Sequence, residues 1–137
     1  AMYCRYGWVS TEGPGRAELV GALEKYVVKK DIAGHRGIYE NASPIHHVRA
    51  DAPPFFVLHG SNDSLIPVGE ARKFVAALRD VSDSPVGYAE LAGAQHAFDT
   101  FGSPRGQNTA VAVQRFLDWT RARAAAESAP DASVQRA

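Results

Sequence analysis

Pro53-Pro54-Phe55-Phe56-Val57-Leu58-His59-Gly60-Ser61-Asn62-Asp63 is an apolar and aromatic run without a helical polar face, entered through prolines and left through His-Gly-Ser-Asn. That pattern predicts a strand buried on both sides, and such strands belong inside a parallel sheet. The loop that follows carries a carboxylate. In open α/β sheets the loops at the carboxyl ends of strands are where ligands and chemistry collect, so Asp63 is the first candidate functional residue.

Downstream, Pro67 stands where the first turn of a helix tolerates it, and Ala71, Phe74, Val75 and Leu78 mark one face of a helix over 67–80. Glu70, Arg72, Lys73 and Arg79 fall mostly on other faces. Residues 81–85 read as a turn, and Val86-Gly87-Tyr88-Ala89-Glu90-Leu91 as a second strand. Strand, helix and strand over this distance form a βαβ unit with parallel strands. The second strand opens into Ala92-Gly93-Ala94-Gln95-His96-Ala97-Phe98-Asp99, which puts His96 in the loop leaving the second strand as Asp63 is in the loop leaving the first. Adjacent parallel strands lie ~4.8 Å apart, so loops at one end can bring these side chains into contact. A last helix is expected from Asn108, read as an N-cap, to Arg123, followed by an Ala-rich, disordered tail over 124–137.

Upstream, aromatic-rich Met2 to Val9 suits a strand, and Thr11-Glu12-Gly13-Pro14-Gly15 a turn. Leu19, Val20, Leu23, Tyr26 and Val27 recur at helical spacing within 16–30, with Lys29 and Lys30 closing that helix in keeping with its dipole. Residues 31–51 read as an irregular connection with one short helical turn. His35, His46 and His47 lie there. The last two, being adjacent, face apart on either a helix or a strand, which favours solvated or capping roles over metal ligation.

At 137 residues the chain has one domain's length, and its 15 basic and 15 acidic residues balance. No long-range field gathers nucleic acid, and no run of basic residues suggests it as a partner. The one cysteine, Cys4, excludes an internal disulfide framework and a Cys-rich metal site. No apolar run reaches the ~20 residues of a membrane-spanning helix. A soluble molecule is expected, with the cytoplasm slightly favoured. No cofactor is expected. A metal site built from His59, Asp63, His96 and Asp99 is disfavoured, because their spacing matches no known ligand pattern; His59 reads as structural, its ring packed at the strand end.

Asp63 taken alone reads as an Asx-type turn residue as readily as a functional carboxylate. Paired with His96 it has a specific chemical use. A carboxylate that accepts the Nδ1 proton fixes the imidazole tautomer and leaves Nε2 free to take a proton from a hydroxyl nucleophile. Nucleophile, acid and then histidine is the α/β-hydrolase chain order. The residues from Pro53 through His59-Gly60-Ser61-Asn62-Asp63 to Val68, the helix over 71–78, and Gly93-Ala94-Gln95-His96-Ala97-Phe98 resemble the C-terminal part of an α/β-hydrolase of the esterase/lipase kind. The resemblance covers about Ser43 to Trp119. It implies an α/β fold of about three parallel strands with a crossover and flanking helices over 1–123. It also implies that Asp63 and His96 are the acid and base of a Ser-His-Asp triad acting on a small-molecule ester.

The departure from the family is equally specific. The nucleophile of that family sits in G-x-S-x-G, often with an H-G-G-G-like oxyanion loop, and neither pattern occurs here. Ser10, Ser43, Ser61, Ser64, Ser82, Ser84 and Ser103 lack the flanking glycines. The expectation is therefore a fragment of a carboxylic-ester hydrolase whose nucleophile is missing, inactive alone. The alternative from another class is a non-catalytic α/β module that binds a partner, or self-associates as a homo-oligomer, through the exposed edge of its first strand.

Overall fold

The structure is a computed structural model and describes residues 20–100 and 102–128. The expected strand over 2–9, the turn after it, the start of the first helix and Cys4 lie outside the described residues. So does the tail beyond Ser128. The described residues divide into two compact units, one ending at Phe98 and the other beginning at Asp99.

The first unit is built on the predicted βαβ. Strand β1 (Phe55–Gly60) and strand β2 (Val86–Leu91) form a two-stranded parallel sheet in which Phe55 pairs with Val86 and Gly60 with Leu91. These are the strands expected from the sequence. The third, expected over 2–9, falls outside the described residues.

Val57 and His59 are buried on β1, whereas Phe56 and Leu58 are only half-buried, so the strand is not enclosed on both sides as expected. The reason is the placement of the crossover helix Val68–Val81, which covers the face carrying Val57.

Two short helical pieces precede the sheet, where one turn was expected: α1 (Arg36–Asn41) and a 3₁₀ turn (Pro44–His47). The crossover Val68–Val81 is α2, with Pro67 at its N-cap position. Ahead of α1, the segment Leu23–Val28 closes as a π-helix on Lys29 in the left-handed region, φ 57°. The amphipathic face expected there is only partly used: Leu23 is buried, while Tyr26 is 66% exposed.

The main core gathers Ala52, Val57, Ala71, Phe74, Val75 and Leu78, with Ile45, Val48, Phe55, Val86 and Tyr88 packed against it. Phe55 meets Phe74 edge-on at 5.7 Å, a geometry that aromatic quadrupoles favour. A smaller cluster joins Leu23 and Tyr39 with Val28 and Ile32. Tyr39 donates its hydroxyl to the Lys30 carbonyl, and Ser43 donates to the Tyr39 carbonyl at 2.6 Å. These bonds fix the connection that composition alone reads as irregular. His47 Nε2 donates to the Asn41 carbonyl at 2.7 Å, satisfying an orphan acceptor at the end of α1.

Glu70, assigned to the polar side of α2 from its spacing, is buried, with Lys73 Nζ 4.0 Å from its carboxylate. In the second unit, α3 runs over Pro104–Ser128. It starts before the expected Asn108 because Ser103 accepts the Gly106 N–H at 3.0 Å and Pro104 occupies the first helical position. None of its described residues is buried. Among the described residues no helix is long and apolar enough to cross a membrane.

Helix α2 is tied to β2 by Arg72, whose guanidinium grips Glu90 at 2.6 and 2.9 Å while the Tyr88 hydroxyl donates to the same carboxylate at 3.0 Å. The Arg72 hydrogen bond, then that of Tyr88, hold the Glu90 carboxyl below its ordinary value of 4.5. A carboxyl depressed by folding stabilises the native state above the unfolded value and loses that contribution as pH falls through the folded one. Glu90→Gln is therefore expected to flatten the decline in stability below about pH 4.5, as measured by urea unfolding across a pH series.

Candidate active site

The site begins where β1 and β2 end. Parallel pairing sends both chains out at the same edge, and the loops are laced together by backbone bonds. Ser61 N–H donates to the Leu91 carbonyl and Asn62 N–H to the Ala94 carbonyl, each at 3.0 Å. The Ser61 hydroxyl accepts the Gly93 N–H at 2.9 Å. Gly93 itself has φ +67°, a conformation open to glycine at little cost.

Gly60 permits the closest approach. A Cβ there would lie 2.3 Å from the Ala94 carbonyl oxygen and 2.8 Å from its carbon. The two loops touch because this position has no side chain.

That approach places Asp63 beside His96. His96 Nδ1 donates to Asp63 Oδ2 at 2.8 Å, and the Asp63 side chain is 6% exposed against 33% for His96. With Nδ1 carrying the proton, Nε2 of the same ring is the acceptor. The other carboxylate oxygen, Oδ1, accepts the N–H of Leu65 at 2.9 Å and of Ile66 at 2.7 Å. Asp63 thus makes an Asx-type turn through one oxygen and holds the histidine through the other, so the two readings open for it in the sequence describe the same side chain.

Immediately after His96, Ala97 has φ 54°. A residue with a Cβ in that region costs about 1–2 kcal/mol. The local fold holds this strain at the histidine.

The structure therefore brings together both sequence-predicted site residues. Asp99 falls in the second unit. Among the described residues, no group of three His, Cys, Asp or Glu could hold a metal ion. Sequence reasoning did not find the parts played by Gly60 and Ser61. A glycine at the end of a buried strand signals close backbone approach, but nothing in the spacing names Gly93 as the partner of Ser61, 32 residues away.

The BD-FAE family profile matches residues 9–78, just over half of the chain. The chain belongs to the BD-FAE family. The matched region includes Asp63 and stops short of His96.

Curated relatives come from Mycobacterium tuberculosis (strain ATCC 25618 / H37Rv). Probable carboxylic ester hydrolase LipM is 54% identical over 133 residues, covering 97% of this chain and 31% of that protein. Esterase LipC is 48% identical over 117 residues, covering 85% of this chain and 29% of that protein. The chain spans under a third of the length of these relatives.

Among solved structures, Thermogutta terrifontis esterase 2 phosphorylated by paraoxon is 30% identical with a TM-score of 0.54, over 58% of this chain and 31% of that one. The butyrate-bound form of the same esterase aligns at 26% identity and a TM-score of 0.56, over 74% and 34% of the two chains. This BD-FAE family chain is a C-terminal portion of an α/β-hydrolase.

Gly60→Ala is expected to lower the stability of the chain by about 1–3 kcal/mol, the usual penalty of overpacking, because the displaced atoms belong to the backbone of Ala94. A shift of the urea midpoint measures it. The same change should loosen the bond between His96 and Asp63, seen as faster solvent exchange of the His96 ring proton.

Proposed function

We propose that the chain supplies the acid and base of a Ser-His-Asp triad in a carboxylic-ester hydrolase, with Asp63 the acid and His96 the base. One observation carries the reading: the 2.8 Å bond from His96 Nδ1 to a nearly enclosed carboxylate, made between loops that leave adjacent parallel strands. The names of the relatives, carboxylic ester hydrolase and esterase, support ester substrates of small-molecule size. The nucleophile is assigned to sequence outside these 137 residues, since no serine here stands in G-x-S-x-G.

On this reading the serine hydroxyl attacks the ester carbonyl carbon while His96 Nε2 takes its proton. Asp63 accepts from Nδ1–H throughout and stabilises the imidazolium that forms. Collapse of the tetrahedral intermediate breaks the bond to the alcohol, and His96 returns the proton to the departing oxygen. Water then enters and bonds the acyl carbon as Nε2 takes one of its protons; collapse breaks the bond to the serine oxygen, which takes that proton back from Nε2 as the acid departs. The partial exposure of His96 suits a ring that must meet both serine and water, and the enclosure of Asp63 keeps its charge directed at the ring.

The 137-residue chain alone is expected to show no burst with a p-nitrophenyl ester and no labelling by a fluorophosphonate. Stoichiometric labelling of a serine within it would overturn the assignment. In the longer serine-bearing protein, His96→Ala should lower kcat by about 10³-fold or more with folding intact. Turnover at the parent rate would remove His96 from the mechanism.

A further inference from the structure

His59 lies outside the acid-base pair, yet a nitrogen of its ring comes within 3.5 Å of the Asp63 carboxylate. It sits on β1, 6% exposed, at a position whose burial calls for an apolar side chain. Its Nε2 is 2.8 Å from the carbonyl oxygen of Ile66. A carbonyl oxygen only accepts, so this nitrogen carries the proton and donates.

The same nitrogen lies 3.5 Å from Asp63 Oδ2, the oxygen that accepts from His96. Ile66 is gripped from both sides. Its N–H donates to Asp63 Oδ1 at 2.7 Å, and its carbonyl accepts from His59. Asp63, Ile66 and His59 close a circuit of polar contacts, with His96 attached at the Oδ2 corner.

Were the task only to fill space, an apolar side chain would do so without burying a ring nitrogen, since a buried polar group adds to stability only when its partner is in place. Here the partner is a loop carbonyl, and that loop carries Asp63. Removing the ring's N–H leaves the buried Ile66 without this donor, and the turn over 63–66 keeps only its backbone tie to β1, from Asp63 N–H to the Gly60 carbonyl at 3.2 Å.

We infer that His59 is a positioning residue: its Nε2–H pins the Ile66 carbonyl to the strand and thereby holds Asp63 Oδ2 toward His96 Nδ1. Its consequence for turnover rests on the acid-base reading above, whereas the tether itself rests on geometry alone. The N–H also turns the positive end of its bond dipole toward a nearly enclosed carboxylate, 3.5 Å from Oδ2, helping to keep the anion in place.

The test uses the ¹⁵N-labelled 137-residue chain. Long-range ¹H–¹⁵N correlation reads the His59 tautomer in the unaltered protein, and Nε2–H is expected; an Nδ1–H tautomer overturns the inference without any variant. His59→Leu should then speed solvent exchange of the His96 Nδ1 proton about tenfold, the effect of losing one hydrogen bond on a local opening equilibrium. His59→Gln, which can present an N–H at a similar place, should keep exchange near the parent rate. Exchange unchanged in His59→Leu, or raised equally in His59→Gln, overturns the inference. Should His59→Leu fail to fold, the tautomer and His59→Gln still decide it.

In the serine-bearing protein His59→Leu should lower kcat about tenfold at unchanged KM, with His59→Gln restoring it; a rise in KM alongside the fall in kcat would mark a general loosening and count against positioning. If the His96 Nδ1 proton were unprotected in the unaltered chain, the acid-base reading would fall, while the tautomer of His59 would still settle the tether.

Discussion

Asp63 cannot be moved without moving the loop it organises. One oxygen takes two backbone N–H groups of its own turn and the other takes the histidine ring, so the carboxylate is at once the keystone of a local backbone conformation and the orienter of His96. A nearly enclosed carboxylate is costly unless its lone pairs are occupied. Satisfying them with the turn's own amides ties the position of the charge to the position of the chain. Everything beneath serves that constraint. The parallel pairing of β1 and β2 delivers both loops to one edge, Gly60 lets their backbones touch, and the salt bridge from Arg72 to Glu90 fixes the crossover helix against the second strand.

The elements legible in the sequence were those whose information is local. The apolar run at Phe55 and the segment from Val86 specify strands by their own composition, and the helix between them by its spacing, so the βαβ unit and the approach of Asp63 to His96 follow from a pattern read over short windows. Where the deciding partner is remote or chemically atypical, the sequence was silent. Residues 31–51 read as irregular because their order comes from side chain to backbone bonds such as Tyr39 to Lys30 and Ser43 to Tyr39, not from periodicity. Glu70 reads by its spacing as belonging to another face than Ala71, Phe74, Val75 and Leu78, although the structure buries it with them on α2.

The start of α3 is a different kind of miss. Ser103-Pro104 followed by Gly106 carries a cap acceptor and a first-turn proline in the right order. The local signal was present, but Asn108 offered a competing one. Propensity does not rank two plausible caps, and the hydroxyl of Ser103 receiving the Gly106 amide decides between them.

Pre-organisation has a location in this molecule. Among the described residues, the contacts that orient His96 toward Asp63, and Asp63 toward His96, are made within residues 59–97: the strand-end bonds, the turn amides, the His59 tether and the strained backbone at Ala97. None requires a nucleophile to be present. On the proposed reading, a serine brought to this edge meets an imidazole already in the correct tautomer and held by a charge already placed, so no reorganisation of the acid-base pair adds to the barrier when the hydroxyl proton moves. That division fits the chemistry. The carboxylate and histidine must be fixed relative to one another to a few tenths of an ångström, which two loops from adjacent parallel strands can achieve. The substrate pocket, which varies between esters, is then free to be built from other parts of the chain.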